Sequence, residues 1–322
     1  MGGITMKAKE AIGKYINYRQ SLGELFKTNS SILRSFCKSI DEDTELSCLS
    51  TENILKFIYM NSEQRMSICY SRNVTLRGFF VWAKSRNLIS SNPLPVLNFK
   101  YVHPPRPCIY TTEELCRIFD TSLIYQKHRS VIFPEMVYYT IVFTYVMGLR
   151  ISETLKIKLG DINLSQSYIR IIQTKFHKSR LVTFNNTVKN KIIECLSWRK
   201  IVGMPCGNED FLLLNRKSQP LQINTMDSIF MRIREKSGIK READRKHQPH
   251  IHSLRHTFAV NRITKWYKEG KNVQILLPIL SIYMGHAKLE HTAVYITMTD
   301  ELLEEANRLF ENFTNKYNYE QE

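Results

Sequence analysis

His252-Ser253-Leu254-Arg255-His256 opens a run whose apolar residues recur at helical spacing as far as Tyr267. Spacings of three and four residues put His252, Arg255 and His256 on one side of that helix. Working outward, helical spacing resumes from Val273 to Tyr283 and is followed by Gly285-His286 and by Thr292-Ala293-Val294-Tyr295. In the other direction lie two further clusters of reactive residue types. One is the segment Thr174-Lys175-Phe176-His177-Lys178. The other is Gly148-Leu149-Arg150-Ile151-Ser152-Glu153, where a long apolar helix is expected to end at a glycine that permits a sharp turn.

These clusters sit in a mixed frame. Tyr168-Ile169-Arg170-Ile171-Ile172 and Leu181-Val182-Thr183-Phe184 are short β-branched and aromatic runs that predict a small hairpin, its polar turn carrying Lys175, Lys178 and Arg180. Thr111 to Glu114 has capping-box spacing and predicts a helix start. From Thr225 onward the spacing is helical, and a last segment after Thr299 places Leu302, Leu303, Ala306, Leu309, Phe310 and Phe313 on one face. The first hundred residues repeat helical spacing four times, at Ile12-Tyr15-Ile16, Ile32-Leu33-Phe36-Cys37, Ile54-Phe57-Ile58 and Leu76-Phe79-Phe80-Trp82. His103-Pro104-Pro105-Arg106-Pro107 cannot be helical and reads as a linker. The expected architecture is mainly α with a small antiparallel β-sheet: a helical domain over 1–103, a linker over 104–110, and an α+β domain over 111–322.

Lys and Arg outnumber Asp and Glu by 46 to 30 in 322 residues, a net charge of +16 that favours a polyanionic partner. The excess is shared, +6 before Pro105 (14 basic, 8 acidic) and +10 after it (32 and 22), as a clamp with two basic jaws requires. Hydrophobic residues at 43% exclude a disordered or fibrous chain. Seven cysteines with no Cys-x-x-Cys pair read as reduced thiols in a cytoplasmic protein. The most apolar run, Val131 to Met147, is broken by Pro134 and Glu135 and is too short to span a bilayer, so a buried core helix is expected and no membrane partner.

Two arginines, two histidines, a lysine and a tyrosine suffice to move a phosphodiester without a metal or other cofactor. Charge accumulates on the equatorial oxygens of a phosphate under attack, and guanidinium forks such as those of Arg150 and Arg255 match them. A tyrosine hydroxyl, here Tyr295, needs a neighbour to take its proton before it forms a phosphotyrosine; His252 is the candidate. The departing sugar oxygen needs a proton, which a lysine on a flexible turn can give: Lys175, with Lys178 as competitor.

With these residues in place the chain resembles the tyrosine recombinase, or phage integrase, family, as a Xer-like or mobile-element enzyme. The family's first arginine box looks like Gly148 to Glu153, which implies that Arg150 clamps phosphate and Glu153 supports the site. His-x-x-Arg-His matches His252, Arg255 and His256, with His256 in a supporting role. Met284-Gly285-His286 with Tyr295 nine residues on is similar to the third box, with Met for Leu, and adds His286 to the catalytic set. The lysine turn departs from the family's usual Gly-Lys-Gly, since Thr174 and Phe176 flank Lys175. The resemblance implies a SAM-like core-binding domain ahead of the catalytic domain, cleavage through a 3′-phosphotyrosyl link, and a homo-tetramer on paired duplex sites built from monomers or dimers. It also implies a C-terminal helix that docks on a neighbour, partner recombinases or DNA-bending proteins, and a nucleoid-associated location.

Other readings stand beside this one. Singly, Arg150 is an ordinary helix cap, Tyr295 and His286 ordinary core residues, Glu153, Lys175 and Lys178 solvated charges, and His252 with His256 a zinc pair completed by His250 or His247. Together they leave a type IB topoisomerase, which acts on one duplex, as the runner-up. A DNA-binding protein without catalysis is opposed by the intact set, and a metal nuclease by the lack of paired carboxylates near the basic cluster.

Overall fold

The four helical repeats of the first hundred residues form α1 (Ala8–Ser21), α2 (Lys27–Cys37), α3 (Thr51–Tyr59) and α4 (Met66–Ser85) in the computed structural model. The structure describes residues 6–60, 66–99, 107–125, 130–172, 179–241 and 248–297, together with Glu304 and Arg308. The chain divides into two compact units, Met1–His103 and Pro104–Glu322. In the first, Ile12, Leu33, Phe36, Ile54, Phe57, Leu76, Phe79 and Phe80 are all buried in one cluster. Ser50 accepts a hydrogen bond from the backbone N–H of Asn53 and so fixes the start of α3.

The second unit begins as its capping box predicts: Thr111 and Glu114 exchange hydrogen bonds at the start of α5 (Thr112–Ile124). The apolar run follows as α6 (Pro134–Val146). Pro134 does not interrupt this helix but starts it, at a position whose N–H has no intrahelical partner to lose. α6 is buried on all sides, and the hydroxyls of Thr140 and Thr144 donate to Met136 and Thr140 carbonyls within it.

After the one-turn α7 (Ile151–Thr154) come β1 (Ile162–Asn163), β2 (Tyr168–Ile171) and β3 (Arg180–Thr183) in an antiparallel sheet of that order. The sheet has one strand more than the hairpin expected from sequence, because two residues of β1 are too few to show alternation. Its register pairs Ile169 with Val182 and Ile171 with Arg180. Arg180 is therefore a strand residue on the same face as buried Val182, not part of the turn.

α8 (Asn186–Ile201), capped by Asn185, was not read from the sequence; its buried residues Val188, Ile192, Cys195 and Arg199 fall on one side, but Arg199 breaks the apolar pattern. α9 (Ile223–Lys236), α10 (Ile251–Lys268), α11 (Val273–Met284) and the short α12 (Glu290–Ala293) complete the unit, with a final 3-10 turn over Val294–Thr297. α10 packs on α6, and α10 and α11 enclose a second apolar cluster that includes Tyr295. Among the described residues no helix is long and apolar enough to cross a membrane. The expected C-terminal helix, with Leu302, Leu303, Ala306, Leu309, Phe310 and Phe313, lies outside the described residues.

Candidate active site

The ends of two helices frame the site. α6 and α11 each terminate at a glycine in the left-handed region, Gly148 (φ 59°) and Gly285 (φ 68°). The last carbonyls of a helix have no intrahelical donor and carry the negative end of its dipole. Three arginines satisfy them here. Arg255 donates to Gly148 O at 2.8 Å and to Met284 O at 2.6 Å. Arg150 donates to Gly285 O at 2.9 Å, and Arg180 donates through Nε to Tyr283 O at 2.7 Å.

A single carboxylate ties the three together. Glu153 takes Nη1 of Arg150 at 2.9 Å and both Nη atoms of Arg180 at 3.0 and 2.8 Å, with Arg255 Nη1 at 3.8 Å. Burial alone would push the Glu153 carboxyl up, but the hydrogen bonds and charge of Arg180, the backbone N–H of Arg150 and the charge of Arg255 outweigh it and hold it at about 2. Arg255 is 1% exposed, and its pKa is drawn down by burial and by Arg150 beside it. Arg150 keeps 25% of its side chain exposed. One carboxylate among three guanidinium groups leaves an excess of positive charge in a desolvated pocket, the electrostatic condition for holding an anion there.

Tyr295 and the histidines line the same region. Tyr295 is 3% exposed, and its hydroxyl lies 2.9 Å from Nδ1 of His256. Burial raises the hydroxyl's pKa, against the opposing charges of Arg255 and Arg150. His252 stands edge-on to His256 with ring centroids 4.7 Å apart. His286 Nδ1 pairs with the Thr292 hydroxyl at 2.7 Å, and its ring centroid is 6.2 Å from that of Tyr295. Burial first, then the neighbouring arginines and histidines, hold His252 at about 4 and His286 at about 3. His256 is held at about 3 by burial and by His252, His250 and Arg255. All three rings are thus neutral at pH 7 and able to accept a proton.

The structure therefore gathers Arg150, Glu153, His252, Arg255, His256, His286 and Tyr295, which sequence reading singled out from three separate segments. Lys175, Lys178 and His247 lie outside the described residues. His250 caps α10 through Ser253. Arg180 was missed as a site residue. The signal was present in the alternation of Arg180-Leu181-Val182-Thr183, which puts 180 on the inward face with 182, but the polar run before it placed the arginine in the turn. Among the described residues no group of three or more His, Cys, Asp or Glu is placed to hold a metal ion.

Comparison with known proteins gives a concordant result. The family model described as the phage integrase family matches residues 111–301. The chain is 26% identical to the putative integrase/recombinase y4rB of Sinorhizobium fredii, across 94% of this chain and 96% of that one. It is also 26% identical to the tyrosine recombinase XerC of Listeria innocua, across 89% and 90%. Among solved structures, a lambda integrase (75–356) dimer bound to a COC′ core site superposes with a TM-score of 0.66 at 18% identity, covering 92% of this chain and 97% of that one. The Tn1549 transposon integrase in complex with a circular intermediate DNA gives 0.68 at 17% identity, covering 95% and 100%. At these identities the superpositions speak for the fold.

Proposed function

The chain belongs to the phage integrase family, and from that premise we propose that it is a site-specific DNA recombinase whose nucleophile is Tyr295. The observation that carries the reading is the placement of the Tyr295 hydroxyl, held 2.9 Å from His256 Nδ1, within the electrostatic reach of Arg255 and Arg150, which are anchored at the ends of α6 and α11. Arg150 and Arg255 hold the non-bridging oxygens of the scissile phosphate, where charge grows as the phosphorus becomes five-coordinate. The Tyr295 oxygen forms a bond to phosphorus, the bond to the 5′ oxygen breaks, and that oxygen leaves with a proton. A 3′-phosphotyrosyl link and a free 5′-hydroxyl result. A 5′-hydroxyl from the partner duplex then reverses the step at the same phosphorus, so the energy of the broken bond is kept in the ester and no nucleotide cofactor is consumed. Lys175 is the proposed donor to the leaving oxygen, with Lys178 as its competitor. Glu153 acts through the arginines it holds.

The helical unit over Met1–His103 serves as the core-binding domain, and the basic excess in both units supports a clamp on the duplex. Strand exchange between two duplexes requires four protomers, and the tail after Thr299 of one copy docks on the catalytic unit of its neighbour. Two features of that unit support this. α11 exposes Ile275, Ile279 and Ile282 along one side. Beside it lies a cavity of about 410 Å³ lined by Phe184, Phe258, Trp266, Ile279, Leu280 and Tyr283 among others. The protein acts at the nucleoid, in the cytoplasm.

The test is covalent capture on a nicked suicide duplex selected from a random library by binding to the protein. Tyr295→Phe is expected to retain DNA affinity and to lose the adduct, and the DNA-linked peptide of the parent protein should contain Tyr295. An adduct formed by the variant would move the nucleophile elsewhere, with Tyr283 next in line. Deletion of 301–322 should leave cleavage on single sites and abolish assembly on paired sites; unchanged assembly would refute the docking role.

A further inference from the structure

We infer that His256, rather than His252, takes the proton of the Tyr295 hydroxyl when the phosphodiester is attacked. The inference rests on the reading of Tyr295 as nucleophile and adds the partner that activates it. A general base has to lie within hydrogen-bonding reach of the proton it removes. His256 Nδ1 meets that condition at 2.9 Å from the Tyr295 oxygen, whereas the described contacts of His252 are ring contacts with His250 at 6.2 Å and His256 at 4.7 Å. The pair joins α10 to the 3-10 turn that carries Tyr295, with Tyr295 at 3% exposure and His256 half-buried.

The protonation state fits. The groups around His256 are His250, His252 and Arg255 on its own helix and Tyr295 on the turn, with Arg150 and His286 facing Tyr295 from the start of α7 and the end of α11. Apart from the phenol these are bases or cations, and together with burial they keep His256 neutral. A neutral imidazole carrying its proton on Nε2 presents the Nδ1 lone pair to the phenol. No free phenolate forms in the resting site. As a phosphate dianion develops at the arginines, its charge favours an imidazolium beside it, so proton transfer and attack proceed together. The O–H bond of Tyr295 breaks and an N–H bond forms at Nδ1. The phenol oxygen's lone pair makes the bond to phosphorus, and the electron pair of the broken P–O bond leaves on the 5′ oxygen with the proton given by the general acid. In rejoining, the imidazolium returns its proton to the departing phenol oxygen. His252, edge-on to His256, orients that ring.

Single-turnover cleavage of the suicide duplex by the full chain tests this, comparing the parent with His256→Ala, His256→Phe and His252→Ala. His256→Ala is expected to slow adduct formation about 100-fold or more while DNA affinity changes less than about threefold. Added imidazole should restore part of the rate in His256→Ala, which has room for it, and not in His256→Phe, which fills the space. A duplex with sulfur in place of the 5′ bridging oxygen supplies a leaving group that needs no proton. That substrate should not rescue His256→Ala if the residue acts as base. Three results would overturn the inference: parent-like rates in both His256 variants, rescue by the sulfur substrate, or imidazole rescue confined to His252→Ala. Failure of the parent to form any adduct would instead count against the reading of Tyr295 itself. Thermal unfolding of each variant separates loss of fold from loss of chemistry.

Discussion

Arg180 and Glu153 show how one pair sets the charge of the whole pocket. Each Nη of Arg180 is committed to Glu153 and its Nε to the end of α11, so Arg180 fixes the carboxylate that in turn positions Arg150. The two side chains are 9% and 6% exposed, and a buried carboxylate deprived of its partner is costly to keep charged. Arg180→Gln is expected to destabilise the catalytic unit by about 3 kcal/mol in denaturant unfolding. The double variant Arg180→Gln with Glu153→Gln should recover part of that loss, since it removes the unpaired charge as well. Additive losses in the double variant would show that the pair contributes only through shape. The same carboxylate explains why sequence reading assigned Glu153 a supporting role without finding its main partner: the residue that binds it lies 27 positions away on a strand.

At the scale of elements, the helix ends carry the site. Gly148 permits the left-handed turn that leaves its carbonyl facing Arg255, and a Cβ at that position would come within 2.2 Å of the Phe258 ring. Gly148→Ala combines a strained backbone with overpacking and is expected to cost about 2–4 kcal/mol in chemical denaturation. Adding Phe258→Leu should relieve the overpacking and leave the backbone part. Gly285 plays the matching role at the end of α11, where a Cβ would come within 2.8 Å of Arg180 Nη1. Gly148 is visible in sequence as a helix stop, and Gly285 stands just past the helical run that ends at Tyr283. That the two stops face each other and share arginines is a consequence of α10 packing on both helices, which periodicity does not encode.

At the scale of the molecule, the half-buried histidines of the site make the catalytic unit acid-sensitive. His252, His256 and His286 titrate at about 4, 3 and 3 in the fold, below the ordinary value of 6.5. A depressed pKa means that the unfolded chain binds the proton first, so the stabilisation is complete above pH ~6.5 and is lost as pH falls toward the folded values. Three such groups give a slope approaching about 4 kcal/mol per pH unit near pH 5. Glu153, depressed to about 2 from 4.5, adds to the loss only below pH ~4.5. The melting temperature of the unit should therefore fall steeply between pH 6.5 and 4, and His286→Asn should flatten the slope by about one third. A melting temperature constant over that range would contradict the neutral state of these rings.

Legible in the sequence were most of the helices, though not α8, and the reactive residue types standing in three separated clusters; the proline-rich run from His103 to Arg106 lies outside the described residues. Those features are local: periodicity, capping and turn chemistry act over a few neighbouring residues and can be read in order. Tertiary structure decided what the clusters do to one another. It turned Arg180 inward by the register of β3 on β2, gathered three guanidinium groups on one carboxylate, and set His256 rather than His252 on the Tyr295 hydroxyl. Two imidazoles one helical turn apart share a face and are equivalent in a sequence; only the packing of a distant turn against that face breaks the tie.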